Sequence, residues 1–292
     1  MAFGQDNPSG SRESTCGTKT RQSVEDAFQE KKRQGKPAFI PFITGGYPTY
    51  ADSIDIALAL QDAGASILEV GFPYSDPLAD GPVIQASSQA ALANGMTFSK
   101  GLELVRSMRQ AGLTIPLIIF CYYNPIFQFG LDLFAKKARE VGANGVLIPD
   151  LPHEEADHVR QACRQNDLVY ISLVAPTSKA RIRRIVSQAE GFIYCISSLG
   201  VTGVRENLSA QLDDFLKRIR RHTDKPLAVG FGVSKREHVE QLSSMADGII
   251  IGSALINLIT ERRALFGDGK TKQQALLEIK TFVQGLFSNA NS

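Results

Sequence analysis

Residues 66–82, "SILEVGFPYSDPLADGP", begin as an apolar run suited to a buried β-strand and then turn into a loop dense in proline and aspartate. Glu69 sits inside that apolar run. A buried carboxylate without a partner is costly, so the position is either satisfied by a neighbour or used for chemistry. A strand that is apolar on both faces also points to a sheet covered on both sides.

The same pattern recurs along the chain. Apolar β-rich runs occupy residues 38–44, 66–71, 115–122, 145–150, 168–174, 191–197, 226–232 and 247–253, which makes eight. Between them lie segments such as "ADSIDIALALQDAG", "FSKGLELVRSMRQAG", "HEEADHVRQACRQ" and "SAQLDDFLKRIRRH", with apolar residues at three- and four-residue spacing. Strand followed by helix, about eight times over, predicts an α/β fold: a parallel sheet closed into a (β/α)₈ TIM barrel, with an open doubly wound sheet as the alternative. The segment "SVEDAFQEKKRQG" adds an N-terminal helix expected to cap the barrel bottom, and "TKQQALLEIKTFVQGLF" is expected to close the far side.

Bulk properties narrow the classes. The chain has 292 residues, 43% of them hydrophobic, enough for one barrel over residues 21–292. Its 32 basic and 30 acidic residues leave a net charge of +2 and no footprint for nucleic acid. Apolar runs fall short of the roughly 20 residues that span a bilayer, so no membrane insertion is expected. The four cysteines form no CxxC pair, which suits a reducing, cytoplasmic setting. Residues 1–20 read as a disordered tail; a plastid transit peptide is the rival, weakened by Asp6 and Glu13.

In a barrel of this kind the chemistry belongs at the C-terminal strand ends. That filter selects Thr44, Glu69 with the "SDPLADG" loop, Tyr122, Asn124, Asp150, "GVTG" (200–203), "GFGVS" (230–234) and "GS" (252–253). Three glycine-bearing turns follow the last three runs, where backbone N–H groups and helix N-termini can hold phosphate. Gly203, Gly232, Ser234, Gly252 and Ser253 are the candidates.

Glu69 and Asp80 lie eleven positions apart, one on strand and one on loop. A carboxyl among apolar groups has a raised pKa and can act as an acid, while a better solvated one stays ionised. The alternatives are a structural ion pair for Glu69 and a cap or turn role for Asp80. A Schiff-base mechanism would need a lysine at a strand end, and the nearest is Lys179 after the fifth run. A metal site would need clustered ligands, but His153, His158, His222 and His238 fall in separate helical patterns, so no metal is expected.

With these residues in place, the chain resembles the tryptophan synthase α-subunit family from about residue 22 to its end. "LEVGFPYSDPLADGPVIQ" carries the resemblance, supported by "FIPFITGGYP", "YYNPIF", "GVLIPDLP", "GVTG", "GFGVS" and "GSA". The resemblance implies retro-aldol cleavage of indole-3-glycerol phosphate to indole and glyceraldehyde 3-phosphate. It implies Glu69 as principal acid/base, Asp80 on the indole N–H and Tyr194 in support. Phe42, Tyr122, Leu147 and Phe231 would line the indole pocket, and Thr202 would also bind substrate. It also implies loops that close over the site, and a separate pyridoxal-phosphate β subunit in an α₂β₂ heterotetramer, with no cofactor in this chain. A stand-alone indole-releasing lyase and a silent phosphate-binding barrel are the other readings. The absence of tryptophan from the chain is a weak consistency with its synthesis.

Overall fold

The computed structural model describes residues 20–178, 181–196, 205–230, 232–267 and 269–287. The tail at residues 1–19 lies outside them. Nine strand segments are found among the described residues: β1 (Ala38–Thr44), β2 (Leu68–Gly71), β3 (Leu117–Phe120), β4 (Gly145–Leu147), β5 (Val169–Tyr170), β6 (Ser172–Val174), β7 (Ile193–Ile196), β8 (Leu227–Gly230) and β9 (Gly248–Ile251). All pair in parallel, in the order β5-β4-β3-β2-β1-β9-β8-β7-β6.

That order looks open until its two ends are compared. β5 pairs with β4 and β6 with β7, yet only Ile171 separates β5 from β6. They are two halves of the single run predicted at residues 168–174, so the ring closes through one stave and the barrel has eight. The first predicted strand keeps its full bounds and the other seven are trimmed, with Pro116, Pro149 and Pro226 among the residues left outside the ladder.

Alternation along the staves divides the core in two. Ile40, Ile67, Ile118, Leu147, Ile171 and Ile250 point inward and pack together. Phe39, Leu68, Val70, Ile119, Val229 and Ile249 belong to the outer layer, packed with helix residues such as Ile56, Leu104 and Phe134. Both layers are dry, which explains why the strands carry no polar face.

The N-terminal helix, Thr20–Arg33, closes the bottom as expected. Its Val24 and Phe28 join the inner cluster, and Phe28 stacks on Phe192 at 5.3 Å. Gly248 makes room for it: a Cβ there would lie 3.0 Å from the Phe28 ring. A polar clamp adds to this seal, with Asn144 donating to Ser23 Oγ at 2.7 Å and accepting from Arg109 at 2.7 Å and from the Leu117 N–H at 3.0 Å.

The last helix, Gly269–Phe287, completes the outer ring by packing on Tyr50–Asp62. Lys272 pairs with Asp52 at 2.9 Å and with Asp55, and Lys280 with Asp62 at 2.7 Å. One element goes beyond the sequence expectation: the "YYNPIF" loop contains a short helix, Tyr123–Phe129, with Pro125 in its first turn where no intrahelical N–H is required.

Phe28→Ala empties a 3%-exposed site at the barrel floor. The expected loss is about 3–4 kcal/mol of unfolding free energy in urea, with substrate KM unchanged because the site is at the opposite end.

Candidate active site

At the C-terminal end of the barrel lies a cavity of about 520 Å³. Its walls come from many elements. Phe42 (β1), Phe120 (β3), Leu173 (β6) and Tyr194 (β7) project inward; Asp80 and Gly81 enter from the loop after β2. Gly232, Ser234, Gly252 and Ser253 form another side. The sequence therefore assigned residues from distant stretches to one place: Phe42, Asp80, Tyr194 and four of the five phosphate candidates line the same cavity. Thr202, Gly203 and Phe231 lie outside the described residues.

Glu69 shares an inward row with Ile67, and its register partners are Phe42 and Ile118. It is 0% exposed and neither carboxyl oxygen has a hydrogen-bond partner among the described residues. Burial pushes its pKa up to about 8. The structural ion pair considered for this residue is absent from the geometry, since no cation reaches the carboxyl among the described residues. Glu69 does not form part of the cavity wall in this conformation.

Asp80 experiences opposing influences. Burial raises its pKa and a hydrogen bond from the Tyr122 hydroxyl, at 3.0 Å, lowers it; the balance is about 6. The same hydroxyl accepts the Ala79 N–H at 3.0 Å. Tyr122 thus grips two consecutive loop residues, and burial followed by the Asp80 charge drives its phenol pKa upward. Between about pH 6 and pH 8 Glu69 holds its proton while Asp80 is ionised, which is an acid and an anion in one mouth.

Tyr194 is half-buried on β7. Burial first, then the Glu69 and Asp80 carboxylates, hold its phenol well above the usual range, so its hydroxyl remains a donor. Phe42 and Phe120 meet edge to face, 5.4 Å apart at 80°, and supply a flat apolar surface. Gly71 permits that placement, because a Cβ there would lie 2.5 Å from the Phe42 ring. Thr44 Oγ1 and Ser87 Oγ, 2.7 Å apart, fasten the end of β1 to the helix Pro82–Ala93 that follows the Asp80 loop.

Two of the three glycine turns fall within the described residues. Gly252 is the N-cap of the helix Ser253–Glu261, and Ser234 stands just before the helix Arg236–Ser243. The N-terminus of the helix Ser253–Glu261 therefore borders the cavity together with the turn Gly232–Ser234, and backbone N–H groups at a helix start favour an anion. Among the described residues no group of three His, Cys, Asp or Glu is arranged to hold a metal ion.

Two expected substrate contacts are placed differently. Leu147, the last residue of β4 and the register partner of Phe120, is fully buried in the inner cluster and is not on the cavity wall, where Pro149, two residues further on, stands instead. Tyr122 acts behind Asp80 rather than on the wall. Conversely Phe120, Leu173 and Ile196 line the cavity without having been singled out. Counting by twos along the inward rows would have found both Phe120 and Leu173, since Ile118 leads to Phe120 and Ile171 to Leu173.

Comparison with known proteins follows the same lines. A family model described as "Tryptophan synthase alpha chain" matches residues 28–290. The chain is 49% identical over 254 residues to the tryptophan synthase alpha chain of Halalkalibacterium halodurans, covering 87% of this chain and 96% of that one. It is 51% identical over 250 residues to that of Geobacillus stearothermophilus, covering 86% and 93%. Among solved structures, the tryptophan synthase alpha chain from Legionella pneumophila subsp. pneumophila matches with a TM-score of 0.81 at 34% identity, covering 92% of this chain and 99% of that one. The aminoacrylate-bound form of tryptophan synthase from M. tuberculosis matches at 0.79 and 30% identity, covering 91% and 98%.

The buried Glu69 carries a pH signature. With a folded pKa of about 8 against an ordinary 4.5, the folded chain keeps a proton that the unfolded chain releases, so stability falls as pH rises from about 4.5 to 8 and then levels. Glu69→Gln removes this dependence: its melting temperature should exceed the wild type's at pH 9 and match it near pH 4.5. Parallel curves across that range would show that the carboxyl is not held protonated.

Proposed function

The chain belongs to the tryptophan synthase alpha chain family, and from that premise we propose which of its residues carry out the family's reaction. As an α subunit it is a carbon–carbon lyase that cleaves indole-3-glycerol phosphate to indole and glyceraldehyde 3-phosphate. Such cleavage needs an electron sink. Protonation of the indole ring at C3 turns the substrate itself into that sink, so the protein need supply only acids, bases and positioned charge.

Glu69, protonated below about pH 8, gives its proton to C3. The ring becomes an indolenine cation, and ionised Asp80 stabilises it at the indole N–H. The hydroxyl on the carbon joined to C3 then loses its proton to the Glu69 carboxylate, directly or through a relay. The carbon–carbon bonding pair returns to the ring, indole regains its aromaticity and the aldehyde forms. Glu69 ends the cycle protonated, so protons balance over one turnover.

Tyr194 supports the scissile region as a hydroxyl donor. Phe42 and Phe120 take the indole ring, and Gly232, Ser234, Gly252 and Ser253 take the phosphate, with Gly203, Thr202 and Phe231 completing these sites. The observation that carries this reading is an unpartnered, buried carboxyl beside a cavity whose other carboxyl is tuned to ionise two pH units lower.

Indole passes to a separate β subunit in an α₂β₂ assembly, and pyridoxal phosphate belongs to that partner. The exposure of Leu78, at 91% on the Asp80 loop, and of Phe127, at 66% on the short helix Tyr123–Phe129, supports a partner-facing rim. Among the described residues no helix is long and apolar enough to cross a membrane, and Cys121 and Cys195 are free thiols. A cytoplasmic setting fits them.

The test is indole release by the purified chain with and without a β subunit. Release accelerated by β and lowered about 10²–10⁴-fold in Glu69→Gln, with KM little changed, is the expected result. Near-normal turnover in that variant would overturn the assignment of the acid. The kcat/KM profile should be bell-shaped, with limbs near pH 6 and pH 8. Tyr122→Phe removes the hydrogen bond that lowers the Asp80 pKa, so its acid limb should move upward.

A further inference from the structure

The loop that carries Asp80 crosses the mouth with little regular backbone pairing. Leu78 N–H bonds to Asp76 O at 2.9 Å and Asp80 N–H to Pro77 O at 3.0 Å, both internal to the loop. On one side the Tyr122 hydroxyl holds Ala79 and the Asp80 carboxylate. On the other side, Gln85 reaches back from the helix Pro82–Ala93. Its side-chain amide donates to Asp80 O at 2.9 Å and to Pro77 O at 3.4 Å.

This use of a glutamine is unusual for its place. A Glu or Gln in the first turn of a helix normally turns back to a free N–H at the N-cap. Here the N-cap is Gly81, with no side-chain cap, and Pro82 opens the helix. Half-buried Gln85, one position beyond the usual capping site, instead satisfies two loop carbonyls. Its own backbone N–H bonds to Gly81 O at 3.0 Å, so the side chain reaches out from an already formed turn. The peptide bearing Asp80 is therefore fixed at its carbonyl by Gln85 and at its carboxylate by Tyr122.

We propose that Gln85 is a positioning residue for the cleavage step: it holds the Asp80 peptide so that the carboxylate meets the cation developing on the substrate ring. The inference rests on the role given above to Asp80. Stabilisation of a developing charge depends on placement within a fraction of an ångström, and the carboxylate interacts more strongly with the cation than with the neutral indole N–H of the bound substrate. Loss of the anchor accordingly lowers kcat more than it raises KM.

The experiment is steady-state indole release, with β subunit present, for wild type, Gln85→Leu, Gln85→Glu, Asp80→Asn and the double variant Asp80→Asn/Gln85→Leu. Gln85→Leu should lower kcat about 10- to 100-fold with KM within about threefold. The double variant should be no slower than Asp80→Asn, because Gln85 acts only through that carboxylate. Gln85→Glu keeps the size but replaces the donor with a negative group beside the loop, so the acid limb of its kcat/KM profile should rise by about half a pH unit or more.

A kcat for Gln85→Leu within twofold of wild type, or losses that multiply in the double variant, would overturn the proposal. An unmoved acid limb in Gln85→Glu would overturn it even if Gln85→Leu folds poorly. Full activity in Asp80→Asn would instead remove the underlying role of Asp80, a result distinct from failure of the Gln85 anchor.

Discussion

A carboxyl group enclosed in an apolar barrel with no hydrogen-bond partner is the constraint around which the mouth is organised. Glu69 escapes the cost of a buried charge by remaining protonated, and the walls that enforce this are the inward rows of neighbouring staves. Those walls exist only because the ring is closed. With the stave at residues 168–174 shared between β4 and β7, the ring has no open edge and its inward row of apolar residues is buried. Ring closure and proton retention are therefore linked through the same dry core.

The two ends of the barrel divide stability from chemistry. At the bottom, Phe28, Phe192 and the Arg109–Asn144–Ser23 bonds seal the interior with well-satisfied contacts. At the top, an orphaned carboxyl, a loop held by side chains and two uncapped helix starts are all less stable arrangements than the fold could adopt. A site of this kind draws on stability supplied elsewhere. Asp80 shows the same economy on a smaller scale, its pKa set by burial against a single phenolic hydrogen bond.

The alternation of apolar runs and amphipathic segments was enough to establish the barrel, its N-terminal helix and the strand ends at which chemistry sits. The motif residues Glu69 and Asp80 were legible because a carboxylate in an apolar strand and a proline-bounded aspartate loop are costly local choices. Less visible were residues whose local pattern is ordinary. Phe120 and Leu173 look like any strand residue until inward register places them on the cavity, and Leu147 looks like a wall residue until β4 ends beneath it. The helix Tyr123–Phe129 was hidden by a proline that its first turn accommodates.

What the sequence by itself determined was fold class, motif identity and the direction of the Glu69 pKa shift, since each follows from residue type and spacing along the chain. It took the folded chain to show that β5 and β6 close the ring, that no cation among the described residues reaches Glu69, and that Tyr122 holds the Asp80 carboxylate while Gln85 holds its carbonyl. The physical reason is the range of the interactions. Periodicity and propensity act over neighbouring residues, whereas a hydrogen bond from Tyr122 to Asp80 spans 42 positions and exists only once two staves lie side by side.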